Sequence, residues 1–288
     1  MSAISAAMVK ELRERTGLGM MDCKKALTEC DGDMEKAIES LRKSSGLKAA
    51  KKAGRVASDG LVRIQLSDDG RKAVLVEVNC ETDFAARDDN FIGFVNLTLG
   101  KVFDSGSTDI QALMDAGLEA EREALVQKIG ENISVRRAEV INLEEGAVYG
   151  YIHTDSKKAA LVALKGGDAE LGKDIAMHVV ATSPQVVRAE EASEELIAKE
   201  KEIYTAQAAE SGKPADIVEK MVEGRVKKFL AEISLVDQPF VKDPDTKIAA
   251  LLKAKGAEVI RFVRYEVGEG IEVQTEDFAE EVRKQLGG

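Results

Sequence analysis

The chain has no Trp, only 12 aromatic residues among 288, four Pro, three Cys and two His. Each shortage removes a class of function. Proteins that hold single-stranded nucleic acid stack bases on aromatic side chains, and few candidates exist here. Cys23, Cys30 and Cys80 are an odd set without zinc spacing, which indicates reduced thiols rather than a disulfide framework. With His153 and His178 as the only imidazoles, few places can host general acid–base chemistry, and neither lies beside a nucleophile elbow or a zinc motif. No apolar run is long enough to cross a bilayer. The opening MSAISAAMVKELRERTG lacks the apolar centre of a secretory signal, so the expected location is cytoplasmic, with no membrane partner.

What is present is charge and apolar residues in ordinary globular proportion. Hydrophobic residues make up 44% and charged residues 32%, with a net charge of -11. That average field repels a phosphate backbone, so stable nucleic-acid binding is not expected. The charge is uneven. Residues 1–58 hold 12 Lys/Arg against 8 Asp/Glu, a net of +4, which leaves -15 on the other 230 residues. A basic end of this kind can steer a partner, and an RNA- or ribosome-associated factor is the alternative reading it supports.

Residues 1–46 read as three short helices. Val9 and Leu12 start the first stripe, Thr16-Gly17-Leu18-Gly19 breaks it, Met21 to Cys30 forms the second, and Asp33 caps the third. Lys48 to Ser58 (KAAKKAGRVAS) reads as a basic linker with some helical character. Beyond it lies an internal repeat. GLVRIQLSDDGRKAVLVEV (Gly60 to Val78) aligns without gaps on GAVYGYIHTDSKKAALVAL (Gly146 to Leu164), a shift of 86 residues. Each copy reads as strand, polar turn and strand, followed by a helical pattern. Each copy also closes with a helix and a strand: Glu119 to Ile129 then Ile133 to Ile141, and Thr246 to Ala254 then Glu258 to Val267. The second copy is interrupted by about Pro184 to Leu235, where Val218, Val222, Val226, Phe229 and Ile233 fall on one helical stripe. A coiled-coil hairpin of helices is expected there, turning at Ser211-Gly212-Lys213-Pro214. Phe278, Val282 and Leu286 predict a short C-terminal helix.

The fold class predicted is therefore α+β. The expected order is an N-terminal three-helix domain with basic linker (1–55), a first repeat subdomain (56–142), and a second one (143–183 and 236–267). The hairpin (184–235) is inserted in the second, and a C-terminal module (268–288) follows. Two three-stranded antiparallel sheets with helices form the centre.

One stretch resembles a phosphate loop. Gly167 to Asp174 (GDAELGKD) matches through Gly172-Lys173, but Asp174 stands where Ser or Thr should hold magnesium. Asp168 and Glu170 would put carboxylates where phosphate should lie, so the match is read as accidental. No enzyme, metal site or cofactor is expected.

Two segments look unlike scaffold. In LRERTGLGMMDCKKAL (Leu12 to Leu27), adjacent Met20 and Met21 cannot both face one small core. Spacing alone leaves open whether one is buried or both are presented to a partner, a task that suits Met. In ETDFAARDDNF (Glu81 to Phe91), Phe84 has no aromatic counterpart in the second copy, so the repeat fold does not require it. It either folds back into the core or stands out as a wedge.

Both segments resemble the bacterial elongation factor Ts family. The likeness continues through KIGENISVRR (Lys128 to Arg137), IAMHV (Ile175 to Val179), SGKP, EKMVEGRVKKF, QPF (Gln238 to Phe240) and RYEVGEGIE (Arg264 to Glu272). It implies guanine-nucleotide exchange on elongation factor Tu, with magnesium displaced, GDP released and GTP then bound. It implies that the N-terminal helices form a ubiquitin-associated-like domain. It also implies that Asp83 and Phe84 act beside the partner's magnesium site, with Thr82 among the partner-binding residues. By the same likeness Arg13, Met20 and Met21 touch a helix below the guanine pocket, and Ile129, Gly130 and His153 make further contacts. Ala85 stands where the family usually has Val.

Overall fold

The computed structural model describes residues 4–209 and 214–272. Three helices open the chain: α1 (Ala6–Thr16), α2 (Met20–Glu29) and α3 (Met34–Lys52). Their ends follow from local chemistry. The Ser5 hydroxyl accepts from the Met8 N–H, Gly17 closes α1 in the left-handed region (φ 67°), and the Asp33 carboxylate accepts from the Lys36 N–H. Val9, Leu12, Leu18, Cys23, Ala26, Leu27, Ala37 and Leu41 form the bundle's small core. The basic stretch from Lys48 continues α3 through Lys52 rather than leaving the helix at once. Lys and Ala are strong helix formers, Ala49 is buried, and Lys52 Nζ donates to the Gly130 carbonyl at 2.5 Å.

The repeat then appears as two three-stranded sheets. β1 (Asp59–Leu66), β2 (Lys72–Cys80) and β3 (Ser134–Asn142) form one, in that order. β4 (Ala147–Ile152), β5 (Lys158–Lys165) and β8 (Glu258–Glu266) form the other, with β4 and β5 antiparallel. In the first copy the helices are α4 (Asp83–Ala86), α5 (Asp89–Ser105), α6 (Ile110–Leu113) with a wide turn at Met114–Leu118, and α7 (Glu119–Ile129). In the second they are α8 (Ala169–Thr182) and α11 (Ile248–Ala254). A small antiparallel ribbon, β6 (Pro239–Phe240) and β7 (Asp243–Lys247), precedes α11. The inserted segment supplies α9 (Glu194–Ala209) and α10 (Ala215–Ile233), which pack on each other. The hairpin turn at Ser211 to Lys213 and the helix expected at Phe278, Val282 and Leu286 lie outside the described residues.

The repeat is physical as well as sequential. Gly60 has φ 143° and a Cβ there would lie 2.1 Å from the Val78 carbonyl oxygen. Gly146 has φ 88° and a Cβ there would lie 2.2 Å from the Leu164 carbonyl oxygen. Both partner pairs differ by the same 86 positions, so each first strand needs a glycine where it presses on its neighbour.

The described residues divide into two compact units, drawn from Met1–Val62, Val76–Ala138 and Glu266–Gly288, and from Arg63–Leu75 and Glu139–Tyr265. In the first, the buried layer includes Val78, Cys80, Phe91, Phe94, Leu118, Val126 and Ile133. In the second, α8 lies on β4 and β5, and Val162, Leu164, Ile175, Val179, Leu235 and Ile248 are central to its core.

His178 is fully buried in that second core. The Val241 N–H donates to its Nδ1 at 3.2 Å, so Nε2 carries the proton and donates to Gln238 Oε1 at 2.8 Å. Burial holds the imidazole below its ordinary pKa, and the Gln238 bond offsets part of that. With the folded value depressed, this stability is complete above the free-histidine value of about 6.5 and is lost as pH falls through the folded value. Melting temperature measured between pH 7 and pH 5 (about the histidine range) should fall more steeply for the parent protein than for His178→Gln. Equal slopes would show that His178 does not govern this dependence.

Candidate functional site

The segment after β2 presents one aromatic residue outward by simple local rules. Thr82 caps α4, its hydroxyl accepting from the Ala85 N–H at 3.2 Å. Ala85 and Ala86 take the inward side of this single turn and are buried. Phe84 is left on the outer side at 81% exposure. Asp83 pairs with Arg87 at 2.7 Å across the turn. Asp88 then caps α5, accepting from the Asn90 N–H at 2.8 Å. Hydrogen bonds from Asn90, the side chain's first, hold the Asp88 carboxyl below its usual range.

The N-terminal bundle presents a second apolar element. Cys23, Ala26 and Leu27 use the inward face of α2, so its first two residues project elsewhere. Met20 is 61% exposed and Met21 75%, and neither belongs to the bundle's core. Arg13 is exposed in the last turn of α1. At the end of α7, Ile129 and Gly130 are half-buried, and Gly130 is left-handed at φ 86°.

These elements meet within the first unit. A concave region of about 720 Å³ is lined by Arg13, Met20, Phe84 and Ile129, together with Gly17, Leu18, Asn90, Lys128 and Glu131. Lys128 Nζ donates to Asn90 Oδ1 at 2.6 Å and packs against Gly17, where a Cβ would lie 2.7 Å from that nitrogen. The C-terminal end of α1 favours such a cation. Met21, Asp83 and Gly130 adjoin lining residues in sequence, and Thr82 reaches the site through its hydroxyl, which donates to the lining residue Glu131 at 2.6 Å. His153 does not lie in this unit: it sits in the β4–β5 turn, exposed, with Nδ1 3.2 Å from Asp155 Oδ1. Lys128 and Glu131, which the sequence marks only as part of KIGENISVRR, join the site because the fold brings the end of α7 to residues 81–90, a meeting that nothing in local spacing indicates.

The phosphate-loop likeness has a different meaning in the structure. Asp168 caps α8, accepting from the Leu171 N–H at 2.9 Å, and Lys255 pairs with its other oxygen at 2.9 Å. A Cβ at Gly172 would lie 2.1 Å from the Tyr149 ring, so this glycine admits an aromatic side chain. The helix end that would bind phosphate is filled by the protein's own carboxylate. Among the described residues no group of three His, Cys, Asp or Glu is placed to hold a metal ion. No helix among them is long and apolar enough to cross a membrane.

The family model described as Elongation factor TS matches residues 81–269. The chain is 64% identical to the protein named Elongation factor Ts of Hahella chejuensis, over 100% of both chains. It is 58% identical to that of Marinobacter nauticus, over 100% of this chain and 99% of the relative. With the protein of the same name from Saccharophagus degradans it shares 57% identity, over 99% and 98%.

Proposed function

The chain belongs to the elongation factor Ts family, and from that premise we propose that it is a guanine-nucleotide exchange factor for elongation factor Tu. It docks on the GTPase during translation in the cytoplasm, loosens magnesium and promotes GDP release so that GTP can bind. The observation that carries this reading is the solvent-exposed Phe84 sharing one concavity with Met20, Arg13 and Ile129. An apolar wedge that the fold does not bury is useful only once a partner covers it.

Exchange is a coupling between two ligands of the GTPase, factor and nucleotide, and each weakens the other equally. A difference of about 1.4 kcal/mol changes affinity tenfold. Burying one Phe side chain contributes about 1.5–3 kcal/mol, so the wedge is large enough to matter. In this account Asp83 and Phe84 disturb the side chains and phosphates that hold the partner's magnesium, while Arg13, Met20 and Met21 loosen the base. His153 contributes a separate contact from the second unit. The chain itself needs no covalent step, resident metal or cofactor. Its N-terminal cations are partly engaged, Arg15 with Glu35 at 2.7 Å and Lys48 with Asp22 at 3.1 Å. That favours a protein partner over RNA.

Met20→Ala combined with Met21→Ala should weaken exchange while leaving the melting temperature nearly unchanged, since both side chains are largely in solvent. Losing two partly covered Met contacts should cost roughly tenfold in exchange efficiency. Unchanged exchange by the double variant would remove this end of the molecule from the interface.

A further inference from the structure

The loop that carries Phe84 is held by a carboxylate far away in sequence. Glu131 Oε2 accepts from the backbone N–H groups of Glu81 and Thr82, both at 3.0 Å. Its Oε1 accepts from the Thr82 hydroxyl at 2.6 Å. A hydroxyl has one proton. Given to Glu131, it leaves the Thr82 oxygen as acceptor for the Ala85 N–H, the bond that starts α4. The arrangement is returned in the opposite direction. Glu81 Oε1 accepts from the Asn132 N–H at 2.6 Å, and the Asn132 amide donates to the Arg55 carbonyl at 2.7 Å. Two carboxylates thus fasten the end of β2 and the end of α7 to each other.

We propose that Glu131 is a positioning residue for exchange, acting through Thr82 to hold Phe84 in its projecting orientation. The proposal rests on the reading of Phe84 given above. A four-residue helix cannot stand alone, because one turn fixes several dihedrals for very few bonds. Without the clasp the Phe84 turn samples many orientations, and ordering it at the partner lowers the yield of each encounter. Glu131 directly follows Ile129-Gly130, so the same bonds also fix Phe84 relative to that pair.

The test is a cycle of four full-length proteins: the parent, Glu131→Ala, Phe84→Ala and the double variant. Nucleotide release from the GTPase is followed at increasing factor concentration. Glu131→Ala should lower the rate at saturating factor on the order of tenfold, with the half-saturating concentration little changed. In the Phe84→Ala background the same substitution should add almost nothing, since the turn then has no wedge to position. Glu131→Gln keeps one oxygen for the two backbone amides and should recover most of the rate. If Glu131→Ala fails to fold, Thr82→Val removes the same hydroxyl bond and decides the same cycle. Full activity of Glu131→Ala, or an undiminished loss in the double variant, overturns the proposal. Normal exchange by Phe84→Ala alone would instead remove the reading on which it rests.

Discussion

Phe84→Ala should slow nucleotide release from the GTPase by about ten- to a hundredfold, the range that burial of one Phe on a partner supports. The variant's melting temperature should match that of the parent. Both expectations follow from one position. Phe84 is the most exposed large hydrophobic residue described, on a turn whose inward side is taken by Ala85 and Ala86. A core Phe truncated to Ala would cost about 3–5 kcal/mol of stability. A large loss of stability, or normal exchange by a stable variant, would contradict the wedge.

Glu77→Ala should have the opposite signature, a large loss of stability. Glu77 lies on the central strand β2 with no solvent exposure. Arg136 Nη1 meets its Oε1 at 3.0 Å and Arg137 Nε meets its Oε2 at 2.5 Å. The Gly268 N–H also donates to Oε1, at 2.9 Å. The same two arginines donate to the Glu266 and Glu269 carbonyls, so one carboxylate organises the chain leaving β8. Removing it leaves two neighbouring guanidiniums without their shared buried anion. They keep some contact with water, so the loss should be about 3 kcal/mol, the lower end for breaking a buried pair. Chemical denaturation of the parent, Glu77→Ala and Glu77→Gln should place Gln between the other two. A loss below about 1 kcal/mol for Ala would mean that the arginines find other partners at little cost.

The sequence made the repeated scaffold legible because its signals are local. Gly60 and Gly146 mark one backbone requirement twice, and Glu119 to Ile129 consists mostly of strong helix formers and is helical throughout. Less was visible where long-range contacts override local preference. The ribbon Pro239–Phe240 with Asp243–Lys247 is rich in Pro and Asp, residues poor in strands, and α11 accordingly begins at Ile248 rather than Thr246. Residues 83–86 form a single helical turn that no local pattern marks, because the Thr82 cap depends on Glu131 from 49 residues away. Spacing left both Met20 and Phe84 open between core and surface. For the first, Cys23 and Leu27 already supply the inward face of α2. For the second, two alanines do so. Glu77 stands in an apolar run where the second copy has Ala163, but its arginine partners are 59 and 60 residues away.

The activity proposed for this chain is accelerated nucleotide release from a translational GTPase. The most direct test loads elongation factor Tu with fluorescent GDP, adds excess unlabelled GDP, and follows release as the full-length chain is titrated in. The release rate should climb with chain concentration and level off about tenfold or more above the spontaneous rate. A release rate that stays at the spontaneous value while the two proteins demonstrably associate would contradict it.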